Sequence, residues 1–172
     1  MKLTDREWKA FRIGDLFDYK RGQRQVTKDR IHGDIPYYSA SDSNNGLTDM
    51  ISNPSFVETS GSIICSTFGD AFFANGGFTA SDEMTILRNN HLNEFNGLFI
   101  AKMISQQKEK YSFGHKAFSK VLIRDHIMLP VTNAGDPDYE FMEQYIKDLM
   151  LQKYFQYMDY LTERNGVYYD KC

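Results

Sequence analysis

A chain of 172 residues, 41% hydrophobic and 25% charged, has the makings of one ordinary domain with an appended element, and two compact domains would be cramped. No apolar run reaches the roughly 18 residues of a membrane helix, and the opening "MKLTDREWKAF" is charged where a secretion signal would be apolar, so a cytoplasmic protein is expected. The net charge of −3 argues, taken globally, against a nucleic-acid binder, yet the charge is segmented: +4 over residues 1–33, −7 over 34–96, +4 over 97–133 and −4 over 134–172. Folding could bring the two basic segments onto one positive face, the footprint that phosphate binding needs.

Residues 8–20, "WKAFRIGDLFDYK", read as a buried strand or extended entry followed by a short helical turn. "KRGQRQVTKDR", Lys20 to Arg30, sets five cations against one acid and reads as an exposed loop. Short apolar runs follow at Ile35–Tyr38, Ser62–Phe68, Ala71–Ala74 and Met84–Leu87, each bounded by Gly, Asn, Asp or Pro. That is the signature of strands and turns, so residues 35–88 are expected to be mainly sheet.

Within that region "IPYYSASDSNNG", Ile35 to Gly46, has two readings. It suits a surface turn, with Asn45-Gly46 at a place that needs φ > 0. The sharper reading is a recognition loop, in which rigid aromatic area stands beside amides and hydroxyls; the twelve residues by themselves favour the turn.

The period then changes. Leu92, Phe95, Leu98/Phe99 and Met103 recur at helical intervals and predict a helix over about 93–109. "HIMLPV", His126 to Val131, predicts a further strand. Asp136 as N-cap with Pro137 at the first helical position, and Asn165-Gly166 as the stop, bracket a helix of about 28 residues, roughly 42 Å long. Its Phe141, Met142, Tyr145, Ile146, Leu149, Met150, Tyr154, Phe155, Met158 and Leu161 offer more apolar area than one sheet can cover, so a second helix is expected against it. Cys65, in an apolar run, and Cys172, the last residue, suggest reduced thiols.

Catalytic and metal motifs are weak. "NPSF" (Asn53 to Phe56) approaches the tetrapeptide with which amino-methyltransferases hold an adenine, but its third residue is Ser and no G-x-G follows a strand. No acidic-x-Lys tripeptide follows Pro137-Asp138, as a nuclease would require. His32, His91, His115 and His126 lack metal-ligand spacing. The residues therefore predict no covalent chemistry and no metal in this chain.

The order Trp8, "IGDLF", Gly22, "GDIPYYSASDSNNG", "GSIICSTFGDAFF", "KYSFG", "IRDHIMLP" and "PDYEFMEQYI" resembles a target recognition domain of the specificity subunits of type I restriction-modification systems and of related two-subunit restriction enzymes. The resemblance runs from Trp8 to Lys147. It implies an α+β fold: a twisted β-sheet recognition domain with short helices over 1–133, one long C-terminal α-helix over 134–166, and a tail over 167–172.

It also implies a non-catalytic chain that reads one half of a bipartite site in double-stranded DNA. Lys20, Arg21 and Arg24 would hold phosphates, and Gln23 and Gln25 would reach base edges. Tyr37, Tyr38, Ser39, Ser41, Asn44 and Asn45 would lie near the DNA, with Phe68, Gly69, Tyr111, His115 and Lys116 as further walls. The long helix would dock a methyltransferase subunit, with a restriction subunit a further partner. Through Met142, Tyr145, Ile146, Leu149, Met150, Phe155 and Met158 it would pair with its own copy as a homodimer. S-adenosylmethionine and Mg²⁺ would sit on the partner subunits. Family members typically carry two recognition domains, so the chain resembles a half-subunit or a piece of a longer one. A rival expectation is an interaction module that occupies the methyltransferase dock without reading DNA.

Overall fold

The computed structural model describes residues 1–165. In chain order its elements are β1 (Trp8–Arg12), α1 (Ile13–Leu16), β2 (Asp18–Arg21), β3 (His32–Tyr38), β4 (Leu47–Ile51), β5 (Ser62–Ser66), β6 (Ala71–Ala74), β7 (Thr79–Ala80), β8 (Met84–Arg88), α2 (Glu94–Ser105), α3 (Ser119–Leu122), β9 (His126–Pro130) and α4 (Tyr139–Asn165). The strands form an antiparallel four-stranded sheet, β2-β8-β5-β6, a three-stranded sheet, β4-β3-β7, and a ribbon of β1 with β9.

The continuous apolar run at β5 has a direct cause: every one of its residues is buried, because the strand is interior to its sheet and both faces are covered. Ile63 and Cys65 face a core shared with Leu87, Phe99, Ile100, Ile104, Ile127 and Met142. Ile64 faces the opposite core, with Phe78, Ala80, Met84 and Ile86. Burial pushes the Cys65 thiol well above its ordinary range, which makes it an inert core residue. Cys172 lies outside the described residues.

The expected strands are present with small shifts. The run from Ser62 ends at Ser66, where Thr67 to Asp70 turn the chain into β6. The strand from His126 ends at Pro130 rather than Val131. Lys20 and Arg21, read as loop, close β2 opposite Ile86 and Thr85. The helix expected to reach residue 109 stops at Ser105, followed by a separate turn at Lys108–Lys110. Three strands were not expected: β2, expected as helical turn and loop, β4, whose polar Thr48 and Asp49 break the apolar pattern, and the two-residue β7.

The α2 helix begins at an Asn93 cap that accepts from the N–H groups of Phe95 and Asn96 and donates from Nδ2 to Glu143 Oε2 at 2.6 Å. One amide thus caps α2 and ties it to α4. Lys147 and Asn93 hydrogen-bond the Glu143 carboxylate and hold its pKa below the ordinary range.

The α4 helix starts two residues later than the Asp136-Pro137 signal predicts. Asp138 is the cap: its Oδ1 accepts from the Phe141 N–H at 2.9 Å, while Oδ2 accepts from Arg6 Nε at 2.8 Å. Asp138 wins because its N–H already bonds Pro130 O, which places it against the end of β9. Gly166, half of the expected stop, lies outside the described residues.

The 27 residues of α4 span about 40 Å. Its first two turns complete the core, with Phe141 and Met142 buried and Tyr145 and Ile146 packed partly against it. Tyr145 meets Phe99 edge-on at 5.7 Å. Met142, expected at a subunit interface, is therefore a core residue of its own chain, and Tyr145 and Ile146 are largely committed to the same packing. Met142→Ala is accordingly expected to lower unfolding free energy by about 2–5 kcal/mol in a denaturant titration, the range for deleting a fully buried large side chain. Asp148 still meets the N-terminal amine at 3.6 Å, and beyond it most of the helix is exposed. No helix among the described residues is long and apolar enough to cross a membrane.

Candidate nucleic-acid interface

A cleft of about 470 Å³ opens where the end of β2 meets the turn between β7 and β8; its walls include Arg21, Arg24, Gln25, Arg30, Tyr37, Ser39, Asp82, Glu83 and Phe118. It joins the two basic segments of the sequence. The close approach rests on Gly22, whose N–H bonds Met84 O at 3.0 Å; a Cβ there would lie 2.2 Å from Ser81 O. Gln23 N–H then bonds Ala80 O at 2.9 Å, so the loop leaves β2 already fastened to the opposite wall.

Tyr37 forms the cleft floor. It is 1% exposed, and its hydroxyl donates to Gln25 O at 3.3 Å. Arg30 lies 4.0 Å from the Tyr37 ring centroid, donates twice to Gln25 O at 3.0 and 2.9 Å, and pairs with Asp49 at 3.3 Å. Asn53, from "NPSF", clamps the same loop by accepting from Ile31 N–H and donating to Asp29 O, both at 2.9 Å. The Asn-Pro element is thus a structural turn.

On the other wall Arg21 Nε donates to Asp82 O at 2.6 Å, and its guanidinium lies 5.2 Å from the Phe118 ring centroid. Lys116 pairs with Glu83 at 2.9 Å and stands 5.0, 5.5 and 5.9 Å from the rings of Phe68, Phe113 and Phe118. Pairs at the surface contribute roughly 0–1 kcal/mol, so the Arg21 contact and the part-buried Lys116–Glu83 pair orient the cations at the cleft without consuming much stabilisation. Arg24 is exposed and has no carboxylate partner among the described residues.

The residues predicted for DNA contact divide on this geometry. Arg21, Arg24, Gln25, Ser39 and Lys116 gather at the cleft or its rim, and Gln23 is exposed beside them. Lys20 points away from Arg21, as strand neighbours must, with its ammonium 3.9 Å from the Phe56 ring centroid. Tyr37 is buried and supports the loop instead of meeting a ligand. Gln25 spends its amide on Asn53 O at 3.0 Å. Half-buried Tyr38 packs edge-on against Phe78 at 5.5 Å, and burial raises its hydroxyl pKa.

Farther along the loop, Ser41 and half-buried Phe68 share a smaller cleft of about 340 Å³. Asn45 lines a third, of about 360 Å³, with Lys102 and Lys108. Asn44 and Asn45 are exposed with φ of 50° and 52°, ahead of Gly46 at 80°. The left-handed backbone accounts for Asn at both positions, as the turn interpretation expects.

Gly69 is buried, with φ 87°, in the turn after β5; a Cβ there would meet the Tyr111 ring at 2.5 Å. Buried Tyr111 donates its hydroxyl to Asp125, and burial together with that bond raises its pKa. Gly69 and Tyr111 are therefore supports, while His115, exposed and stacked on Tyr111 at 6.3 Å, remains accessible.

Sequence reasoning missed Arg30, Asp82, Glu83 and Phe118, and included Phe113 only within the Tyr111 to Lys116 stretch. The cue for Asp82 and Glu83 was present in "SDE", an acidic turn between two apolar runs, but its position opposite Arg21 and Lys116 is a long-range outcome of folding.

Residues 5–155 match the family model described as the type I restriction modification DNA specificity domain. The chain is 35% identical over 154 residues to the Type II restriction enzyme BgcI specificity subunit S.BcgI of Heyndrickxia coagulans, across 84% of this chain and 44% of that subunit. Its fold is similar to that of the HsdS subunit from Thermoanaerobacter tengcongensis, with TM-score 0.59 and 20% identity over 84% of this chain and 38% of that one. It is likewise similar to the type I restriction-modification S subunit from M. genitalium, with TM-score 0.57 and 15% identity over 94% and 43%. The chain thus spans less than half the length of each of these relatives, and the two structural likenesses speak for the fold. With its mixed sheets, its long final helix and a family match over nearly its whole length, the chain belongs to the type I restriction modification DNA specificity domain family.

Proposed function

We propose that this chain is a non-catalytic specificity element that reads one half-site of double-stranded DNA through the Arg21–Phe118 cleft and carries partner subunits on the outer part of α4. The observation that carries the proposal is the meeting of Arg21, Arg24 and Arg30 from the first basic segment with Lys116 and Phe118 from the second, around Ser39, Asp82 and Glu83.

Arg24, Arg21 and Lys116 hold phosphates. Gln23, Ser39 and the two carboxylates offer acceptors and donors to base edges, a carboxylate being suited to a cytosine amino group. The acidic total is no obstacle, because a duplex meets the local field.

In this proposal a methyltransferase subunit, and a restriction subunit where the assembly cleaves, supply the chemistry. S-adenosylmethionine and Mg²⁺ are held by those partners. The helix α4 both docks the methyltransferase and pairs with a second copy, which would match two half-sites to a two-fold axis.

The test is selection of duplexes by the full chain from a random-sequence pool, followed by titration of the selected and scrambled duplexes at several salt concentrations. With about three to five phosphates held, the logarithm of affinity should fall against log salt with a slope of roughly −3 to −4.5, and the selected duplex should bind at least tenfold tighter. Equal affinity for all sequences would sink the specificity assignment.

A further inference from the structure

Phe113 is 87% exposed, more than any other large apolar side chain identified as exposed among the described residues. It stands at the apex of a tight turn. Ser112 and His115 close that turn with reciprocal backbone bonds of 3.1 and 3.0 Å, leaving only Phe113 and Gly114 at the tip. The base of the turn is anchored on both sides: Tyr111 donates to Asp125, and Ala117 N–H bonds Thr67 O at 2.8 Å. An aromatic ring so presented has little packing within its own chain to account for it. Its aromatic and cationic partners among the described residues are Phe68, at 6.4 Å between centroids, and the Lys116 ammonium at 5.5 Å.

That ammonium also reaches Phe118, which shares the cleft wall with Arg21 and Arg24. The ring therefore projects from the rim of the cationic cleft, one cation away from the positions that would hold the DNA backbone. Apolar side chains placed beside phosphate-binding cations are the wedges with which proteins part neighbouring base pairs. A membrane is a poor alternative occupant, because Glu83 and Asp82 stand beside the same cations.

We propose that Phe113 is such a wedge, inserting its ring against a base at a parted step of the duplex that the cleft holds. The proposal deepens the DNA-binding function given above and rests on it. Lys116 would neutralise a flanking phosphate as the ring enters, and the two closing bonds of the turn would keep the apex from folding back. Specificity would then include a preference for an easily unstacked pyrimidine–purine step at the wedge position, without a hydrogen bond to its bases.

The test uses the full chain carrying Phe113→Trp, with duplexes selected on the parent from a random-sequence pool. Trp8 provides a constant background, since its indole N–H is bonded to Leu3 O and its ring packs on Phe99. Met128→Trp, exposed on β9, serves as the control position. Stacking of the indole on a base is expected to lower the added emission at least twofold in Phe113→Trp and to leave Met128→Trp unchanged. Phe113→Ala should bind the selected duplex about tenfold more weakly with an unchanged salt slope, because its phosphate contacts are intact. Binding with unaltered Phe113→Trp emission overturns the wedge and leaves the cleft standing. Failure of the parent to select or retain any duplex overturns both.

Discussion

Replacing Arg24 and Lys116 together by glutamate is expected to lower affinity for the selected duplex by roughly 10²–10⁴-fold while leaving the fold intact. Arg24 is exposed without a carboxylate partner among the described residues, and Lys116 meets Glu83 in a part-buried pair at 2.9 Å. Neither side chain belongs to the buried cores, so the thermal midpoint should move little. Each charge-assisted bond to a phosphate contributes about 1.5–3 kcal/mol, and about 1.4 kcal/mol is a factor of ten in affinity. Loss of two such bonds, with repulsion added, sets the expected range. The salt slope should shrink by about two, and the loss should be alike for selected and scrambled duplexes. Glu83→Gln, by contrast, should change the ratio between those duplexes more than the affinity for either. A double variant that binds as the parent does would place the DNA elsewhere on the molecule.

The two substitutions probe the part of the site that the sequence disclosed least. Local pattern was enough for β5, β6 and β8, because short apolar runs bounded by turn residues mark strands whether or not their partners are known. It was enough for α2, whose apolar residues recur at helical intervals, and for α4, an unbroken run free of Gly and Pro from Tyr139 to Asn165 that follows an Asp-Pro start signal. It failed at β4 and β7, where pairing with β3 and not composition makes the strand. It failed also at the start of α4, where two aspartates compete and Arg6, remote in sequence, stabilises the second.

The same distinction runs through the site. The cations of the 20–30 segment could be read as a patch, but a strand splits Lys20 from Arg21 and sends them to opposite faces. Tyr37 and Tyr38 looked equivalent as neighbours; alternation along β3 buries Tyr37 under the loop that its own hydroxyl fastens. The resemblance to the family pointed to loops expected to meet DNA and gave no sign of which side chains in them face outward. That depends on Gly22 allowing one loop to touch the 80–84 segment, a contact between residues about sixty apart.

The outer half of α4 carries the second large expectation. Leu149, Met150, Leu151, Tyr154, Phe155, Tyr157 and Tyr160 are all more than a third exposed. Met150, Tyr154, Tyr157 and Leu161 recur at intervals of four, three and four, which sets them in one stripe along a helix. A helix of this length with such a stripe is unsatisfied alone, since each large side chain brought out of water against a partner contributes about 1.5–3 kcal/mol.

Met150→Asp with Tyr154→Asp places two charges in the stripe, one turn apart, and far from the buried cores. Self-association of the full chain, followed by light scattering across concentration, is expected to weaken by at least 10²-fold, because two carboxylates would have to be desolvated in each helix of the pair. Capture of a methyltransferase subunit should fall with it if both partners use one stripe. Salt-dependent binding of a single half-site duplex should persist, since the cleft residues lie on the body. The outcome that overturns this assignment is a variant that still self-associates like the parent, for then the exposed tyrosines of α4 are not what joins the copies. Should it lose half-site binding as well while remaining folded, cleft and helix would act as one unit, contrary to the division of labour drawn from the burial of Phe141 and Met142 at one end of α4 and the exposure of Tyr154 and Phe155 toward the other.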